Sequence, residues 1–235
     1  MIPLPIHNPA VEDIYVRTVA QGMRSIAVTA ALPGEGVSTL AYALARRCAA
    51  GGRPSLLVDL NLGAPSVGDR LALPRRHWQP LEDSAEGALA RFPRTGLSVL
   101  TAPLGEISPT FRETGALRQQ VARWVAGHAV VIFDTAPVTV ARETLIPAPI
   151  AAAATDGAIL VVLAGRTPDT TVAAAGRRLR DQGAEIAGAV LNDRHQPRLA
   201  DELTRETHRL DRVVPGMMAS LRRRLARSTL LNVRI

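Results

Sequence analysis

Ser25-Ile26-Ala27-Val28-Thr29-Ala30-Ala31-Leu32-Pro33-Gly34-Glu35-Gly36-Val37-Ser38-Thr39 passes from an apolar run into a glycine-rich turn. Residues 38–49 follow with the spacing of a helix. Strand, glycine-rich loop and helix in that order match the phosphate-binding pattern G-x-x-x-x-G-K-[ST]. Two positions depart from it. Ala31 stands at the first Gly, and Val37 stands where the phosphate-binding Lys belongs. Backbone N–H groups and a helix N-terminus attract phosphate, so Gly34, Glu35, Gly36, Val37, Ser38 and Thr39 are the candidate cofactor-binding residues.

Outward from this turn, apolar runs alternate with helical patterns. Residues 11–23 predict a helix with Ile14, Val16, Val19 and Met23 on its apolar side. Ser55-Leu56-Leu57-Val58-Asp59 is a second strand, and Leu97-Ser98-Val99-Leu100 a short third. Residues 66–95 give no clear period, and Arg75-Arg76-His77-Trp78 read as surface. A helix is predicted over 112–125 through Leu117, Val121, Trp124 and Val125, then a strand over 129–134 ending in Asp134. Helices over 142–155 and 168–182 flank an apolar strand at 157–163, and a last strand over 186–191 ends at Asn192. Such alternation predicts an α/β fold, a mostly parallel sheet covered by helices on both faces. Residues 198–227 predict basic helices, with Arg222, Arg223, Arg224 and Arg227 opposite an apolar stripe. Without a repeat or a long linker, residues 1–235 are expected to form one domain: a lead-in and helix (1–24), a core (25–195) and a basic helical extension (196–235).

Composition narrows the chemistry. All 28 basic residues are Arg, and the net charge is +7. With no Lys in the sequence, any cation this chain sets on a phosphate must be an Arg or a bound metal. The single cysteine, Cys48, excludes an intrachain disulfide and is expected in the core. The start, Met1-Ile2-Pro3-Leu4-Pro5, has neither the basic nor the long apolar region of a secretory signal, so a cytoplasmic protein is expected. Residues 145–165 are apolar over about the length of a membrane span, but Pro147, Pro149, Asp156 and Gly157 interrupt them, favouring a helix and a strand. His7, His77, His128, His195 and His208 show no metal-ligand spacing.

In an open parallel sheet, ligands bind beyond the carboxyl ends of the strands. Residues 34–39, Asp59, Asp134 and Asn192 all fall there. Ser38 is a candidate Mg²⁺ ligand beside the phosphates, and Thr39 a phosphate donor. Asp134 is placed to orient Mg²⁺ or its water, and Asp59 to bind the metal or orient a nucleophile. Asp59 and Asp134 are thus the candidate catalytic residues, and Ser38, Asp59 and Asp134 the candidate metal ligands. An Asp at a strand end is more often a turn or capping residue; the consistent order of four such features favours a site.

Pro33-Gly34-Glu35-Gly36-x-Ser38-Thr39, Leu57-Val58-Asp59-x-Asn61-Leu62-x-x-Pro65 and Val131-Ile132-Phe133-Asp134-Thr135-Ala136-Pro137 together resemble the bacterial tyrosine kinases of capsule and exopolysaccharide synthesis. These belong to the MinD/ParA-like group of deviant Walker ATPases. Residues 156–162 and 188–192 resemble that family's later strands, so the likeness spans roughly residues 12–195. It implies ATP or ADP with Mg²⁺ as cofactors. It implies that Ser38 and Thr39 meet metal and phosphate, that Asp59 and Asp134 are the two Walker-type acids, and that Asn192 meets the adenine. It also implies a membrane-embedded polysaccharide co-polymerase or chain-length protein as partner.

The departures from that family are specific. Val37 replaces the loop Lys, Asn61 the second acid of an Asp-x-Asp pair, and Gly63 the usual Arg. Alignment on Tyr15 places Asp13, Val16 and Val19 where the family carries a ring-forming Glu and two Arg, which leaves a homo-oligomer an open expectation. The tyrosines are Tyr15 and Tyr42, and residues 230–235 hold none of the family's C-terminal tyrosine cluster. Three readings follow. The first is a kinase-like nucleotide-binding regulator, a weakened pseudokinase of exopolysaccharide synthesis or export, peripheral at the inner membrane. The second is an active kinase or a MinD/ParA-like positioning ATPase that uses an Arg of its own or of a partner. The third is a non-enzymatic scaffold. The basic C-terminal segment is weighed as a solvated or partner-binding face first, an acidic-lipid contact second and a nucleic-acid contact third.

Overall fold

The computed structural model describes residues 8–140 and 146–194. Of these, residues 8–140, 146–162 and 167–191 belong to one compact unit, and 163–166 and 192–194 to a second. Apolar runs become strands where the sequence predicts them: β1 (Ser25–Ala30), β2 (Ser55–Asp59), β5 (Val130–Asp134), β6 (Gly157–Leu163) and β7 (Ile186–Asn192). β4 (Leu97–Leu100) is likewise expected, whereas β3 (Ala90–Phe92) is not. The sheet order is β3-β4-β2-β5-β1-β6-β7. β1 lies between β5 and β6, and β2 between β4 and β5, all parallel. The short β3 pairs antiparallel with β4 at the edge.

The period-2 alternation of the strands divides the core into two layers. Ile26, Val28 and Ala30 of β1, with Leu57 and Ile132, pack against helices α1 (Pro9–Arg17) and α2 (Val37–Ala50). Ala27, Leu56, Val58 and Phe133 face the other side. They meet α5 (Thr114–Gly127), α6 (Ala148–Ala153) and α7 (Asp169–Asp181) there. Two short helices, α3 (Val67–Leu71) and α4 (Ser84–Gly87), lie between β2 and β3 in the chain. Cys48 is buried in α2 as expected. Among the described residues no helix is long and apolar enough to cross a membrane; residues 145–165 contain α6 and β6 instead.

Several expectations change. α1 stops at Arg17, and a single 3-10 turn, Val19–Gln21, replaces its last part. Val11, Ile14 and Val19 are buried, while Val16 is 47% exposed. The helix expected from 112 begins at Thr114, after a 3-10 turn over Pro109–Arg112. The helix expected over 142–155 is α6, whose described start is Ala148 after Pro147. Trp78 is not at the surface: it is 2% exposed, donates from Nε1 to the Thr101 carbonyl at 2.9 Å, and meets Trp124 edge-on at 6.3 Å. Its basic neighbours hid a long-range aromatic contact that has no local period. The basic segment 198–227 lies outside the described residues.

Candidate functional site: a glycine-rich cradle with two buried acids

β1 ends at Ala30 and the chain turns back to start α2 at Val37. Gly34 and Gly36 make the turn with φ of +84° and +108°, a conformation a side chain resists. Gly36 caps α2, whose first turn then presents Ser38 and Thr39. Glu35 is 1% exposed, and its carboxylate braces the loop. One oxygen accepts from the Leu32 N–H at 3.1 Å, and the other accepts from the Thr167 hydroxyl, ahead of α7. The loop's shape is therefore held from inside by the Glu35 side chain, while its backbone N–H remains among those of the expected phosphate cradle. Val37 is 9% exposed and packs in the α1/α2 layer. The position of the missing Lys has become part of the core.

Asp59 and Asp134 end neighbouring strands in the same register, β2 and β5. Both are fully buried, but their carboxylates are satisfied differently. Asp59 accepts three backbone N–H bonds: Asn61 at 3.1 Å, and Ser66 and Val67 at 3.2 Å each. It thereby fixes the chain that enters α3. Neither carboxylate oxygen of Asp134 has a hydrogen-bond partner. Burial first, and then the charge of Asp59, push the Asp134 carboxyl well above the ordinary carboxylate range; the Ser38 hydroxyl and Arg70 pull the other way. Burial also raises Asp59, against its three amide bonds.

A buried carboxylate with two orphaned oxygens costs several kcal/mol unless it is protonated or meets a cation. With the Ser38 hydroxyl beside it, the arrangement fits Mg²⁺, which binds through one or two protein oxygens and keeps waters and phosphate ligands for the rest. The positive-φ loop fits phosphate. Among the described residues no group of three or more His, Cys, Asp and Glu is gathered as a metal site.

The structure brings Gly34, Glu35, Gly36, Val37, Ser38, Thr39, Asp59 and Asp134 into one unit. Asn192, at the end of β7, belongs to the other; its side-chain oxygen accepts from the Arg194 N–H at 3.1 Å. Sequence reasoning missed Arg70, on α3. Its Nη1 donates to the Thr39 hydroxyl at 2.9 Å, which places a guanidinium at the cradle. The one signal for it was the absence of Lys, which obliges any cation of the chain at a phosphate to be an Arg.

No protein-family model matches the chain. Over 187 residues it is 30% identical to the tyrosine-protein kinase YwqD of Bacillus subtilis, covering 77% of this chain and 76% of that protein. Among solved structures, the chimerical protein CapA2B2 superposes with a TM-score of 0.67 at 23% identity, over 77% of this chain and 82% of that one. The kinase domain of the Escherichia coli tyrosine kinase ETK gives 0.64 at 21% identity, over 82% and 80%. The MinD protein of Pyrococcus horikoshii, complexed with Mg-ADP, gives 0.60 at 19% identity, over 74% and 72%. At these identities the structural likenesses speak to the fold.

Proposed function

We infer the function from family membership: the chain belongs to the bacterial tyrosine-protein kinases, P-loop proteins of the MinD/ParA-like group. Within that family it is a kinase-like, nucleotide-binding regulator of exopolysaccharide or capsule synthesis or export. It works at the inner face of the membrane beside an embedded polysaccharide co-polymerase. The observation that carries the nucleotide reading is Asp134, buried with both oxygens unpartnered beside Ser38 at the mouth of a positive-φ glycine loop.

Each residue has a part. The N–H groups of residues 34–39 and the Thr39 hydroxyl bind phosphate oxygens. Ser38 and Asp134 hold Mg²⁺, which neutralises phosphate charge when bound, and Asp59 adds to the negative potential behind them. Catalysis is weak because Val37 cannot reach the phosphates. Losing a hydrogen bond to a charged group lowers affinity roughly 10- to 150-fold. Losing a cation on the transferring phosphoryl group can lower the rate by about 10³–10⁵. Binding therefore outlasts turnover.

Calorimetric titration of the purified protein with ATP and ADP, with and without Mg²⁺, tests this. The expected result is Mg²⁺-dependent binding in the micromolar to millimolar range, lost in Ser38→Ala and Asp134→Asn. No binding at millimolar nucleotide overturns the reading.

A further inference from the structure

The cradle lacks its Lys, yet the structure places a cation against it from another element. α3 is only five residues long, too short to hold itself. Asp59 fixes its entry through the Ser66 and Val67 amides. Val67 and Leu71 pack into the α1/α2 layer. Gly68 lets α3 lie close to the chain that leaves β4, since a Cβ there would meet the Leu73 carbonyl at 3.2 Å and the Thr101 methyl at 3.3 Å. So seated, α3 sends Arg70 across to Thr39, 31 residues earlier in the chain. The same guanidinium is close enough to Asp134 for its charge to oppose the rise of that carboxyl. Arg70 therefore bonds the hydroxyl of the cradle and acts by its charge on Asp134.

We propose that Arg70 is the phosphate-binding cation of this site, taking over from α3 the charge that the loop's own Lys position no longer supplies. A guanidinium suits the task because its planar fork of donors matches phosphate oxygens in pairs and stays charged at every working pH. The ligand it serves is a nucleoside di- or triphosphate, so the inference rests on the nucleotide reading above. Thr39 orients the fork, and Asp59, through α3, sets how far it reaches.

The test is the affinity of the full-length protein for Mg-ATP and Mg-ADP, measured by calorimetry at two salt concentrations, for wild type, Arg70→Gln and Arg70→Lys. Arg94→Gln, an exposed change outside the site, is the control. Circular dichroism and the thermal midpoint establish that each variant is folded. The expected result is a roughly 10- to 150-fold loss for Arg70→Gln, with a weaker salt dependence, partial recovery in Arg70→Lys and no change in Arg94→Gln. Equal affinity of wild type and Arg70→Gln overturns the role of Arg70 and leaves the nucleotide reading standing. Absence of binding in the wild type overturns both.

Discussion

Asp134 is a carboxyl that folding places where ionisation is costly. Its value rises from 3.8 to about 8 through burial and then through Asp59. Between those values the folded chain holds a proton that the unfolded chain has released. Stability therefore falls as pH rises through the window, and Asp59, raised to about 6, acts in the same direction. In metal-free buffer the thermal midpoint is expected to decline from pH 5 to pH 8.5, and Asp134→Asn to flatten that decline. Each 1 kcal/mol of dependence moves the midpoint by about 2–4 °C in a chain of this size, so a thermal scan across pH reads it. A midpoint that rises over the same range would contradict the buried, unpaired state of this acid. Both acids were legible in the sequence as strand-end residues. The difference between them was not, because it depends on which backbone amides turn back to each, and those of Asn61, Ser66 and Val67 turn to Asp59 alone.

At the scale of elements, the strands were legible because each is a short apolar run closed by a charged or glycine-rich turn. The stretch between β2 and β4 was not. α3 and α4 are too short to show a helical period, and β3 has three residues on the sheet edge, none of them buried. The loop was legible in outline; the inward course of the Glu35 side chain was not. Glu35→Ala removes the acceptor of the Leu32 amide and of the Thr167 hydroxyl. It is expected to lower stability by about 1–3 kcal/mol in chemical denaturation and to weaken nucleotide binding in the same protein. A variant with unchanged stability and unchanged affinity would show that the loop keeps its shape without this brace.

At the scale of the molecule, an aromatic chain joins segments far apart in sequence. Trp78 meets Trp124 of α5 edge-on, and Trp124 meets Phe133 of β5 with centroids 5.7 Å apart. In a chain with only 3% aromatic residues, these three tie the poorly patterned stretch to the sheet. Trp78→Ala is expected to cost about 3–5 kcal/mol, read as a lower denaturation midpoint; a loss under 1 kcal/mol would mean a loosely held side chain. The fold's two-layer plan needed only local patterning and was readable in advance. This clamp, and the α3 crossing to the cradle, join distant segments and became visible only in three dimensions.

The seating of α3 on Asp59 has an evolutionary consequence. In a loop that carries its own Lys, geometry and charge are inherited as one motif and are lost together. Here the cradle supplies the geometry and a separately anchored helix supplies the charge. The loop can drift to Val37 without emptying the site of cations, and grip on phosphate can be strengthened, weakened or switched by acting on α3 alone. A phosphate site assembled this way has its sensitivity set by a part outside the motif by which such proteins are recognised.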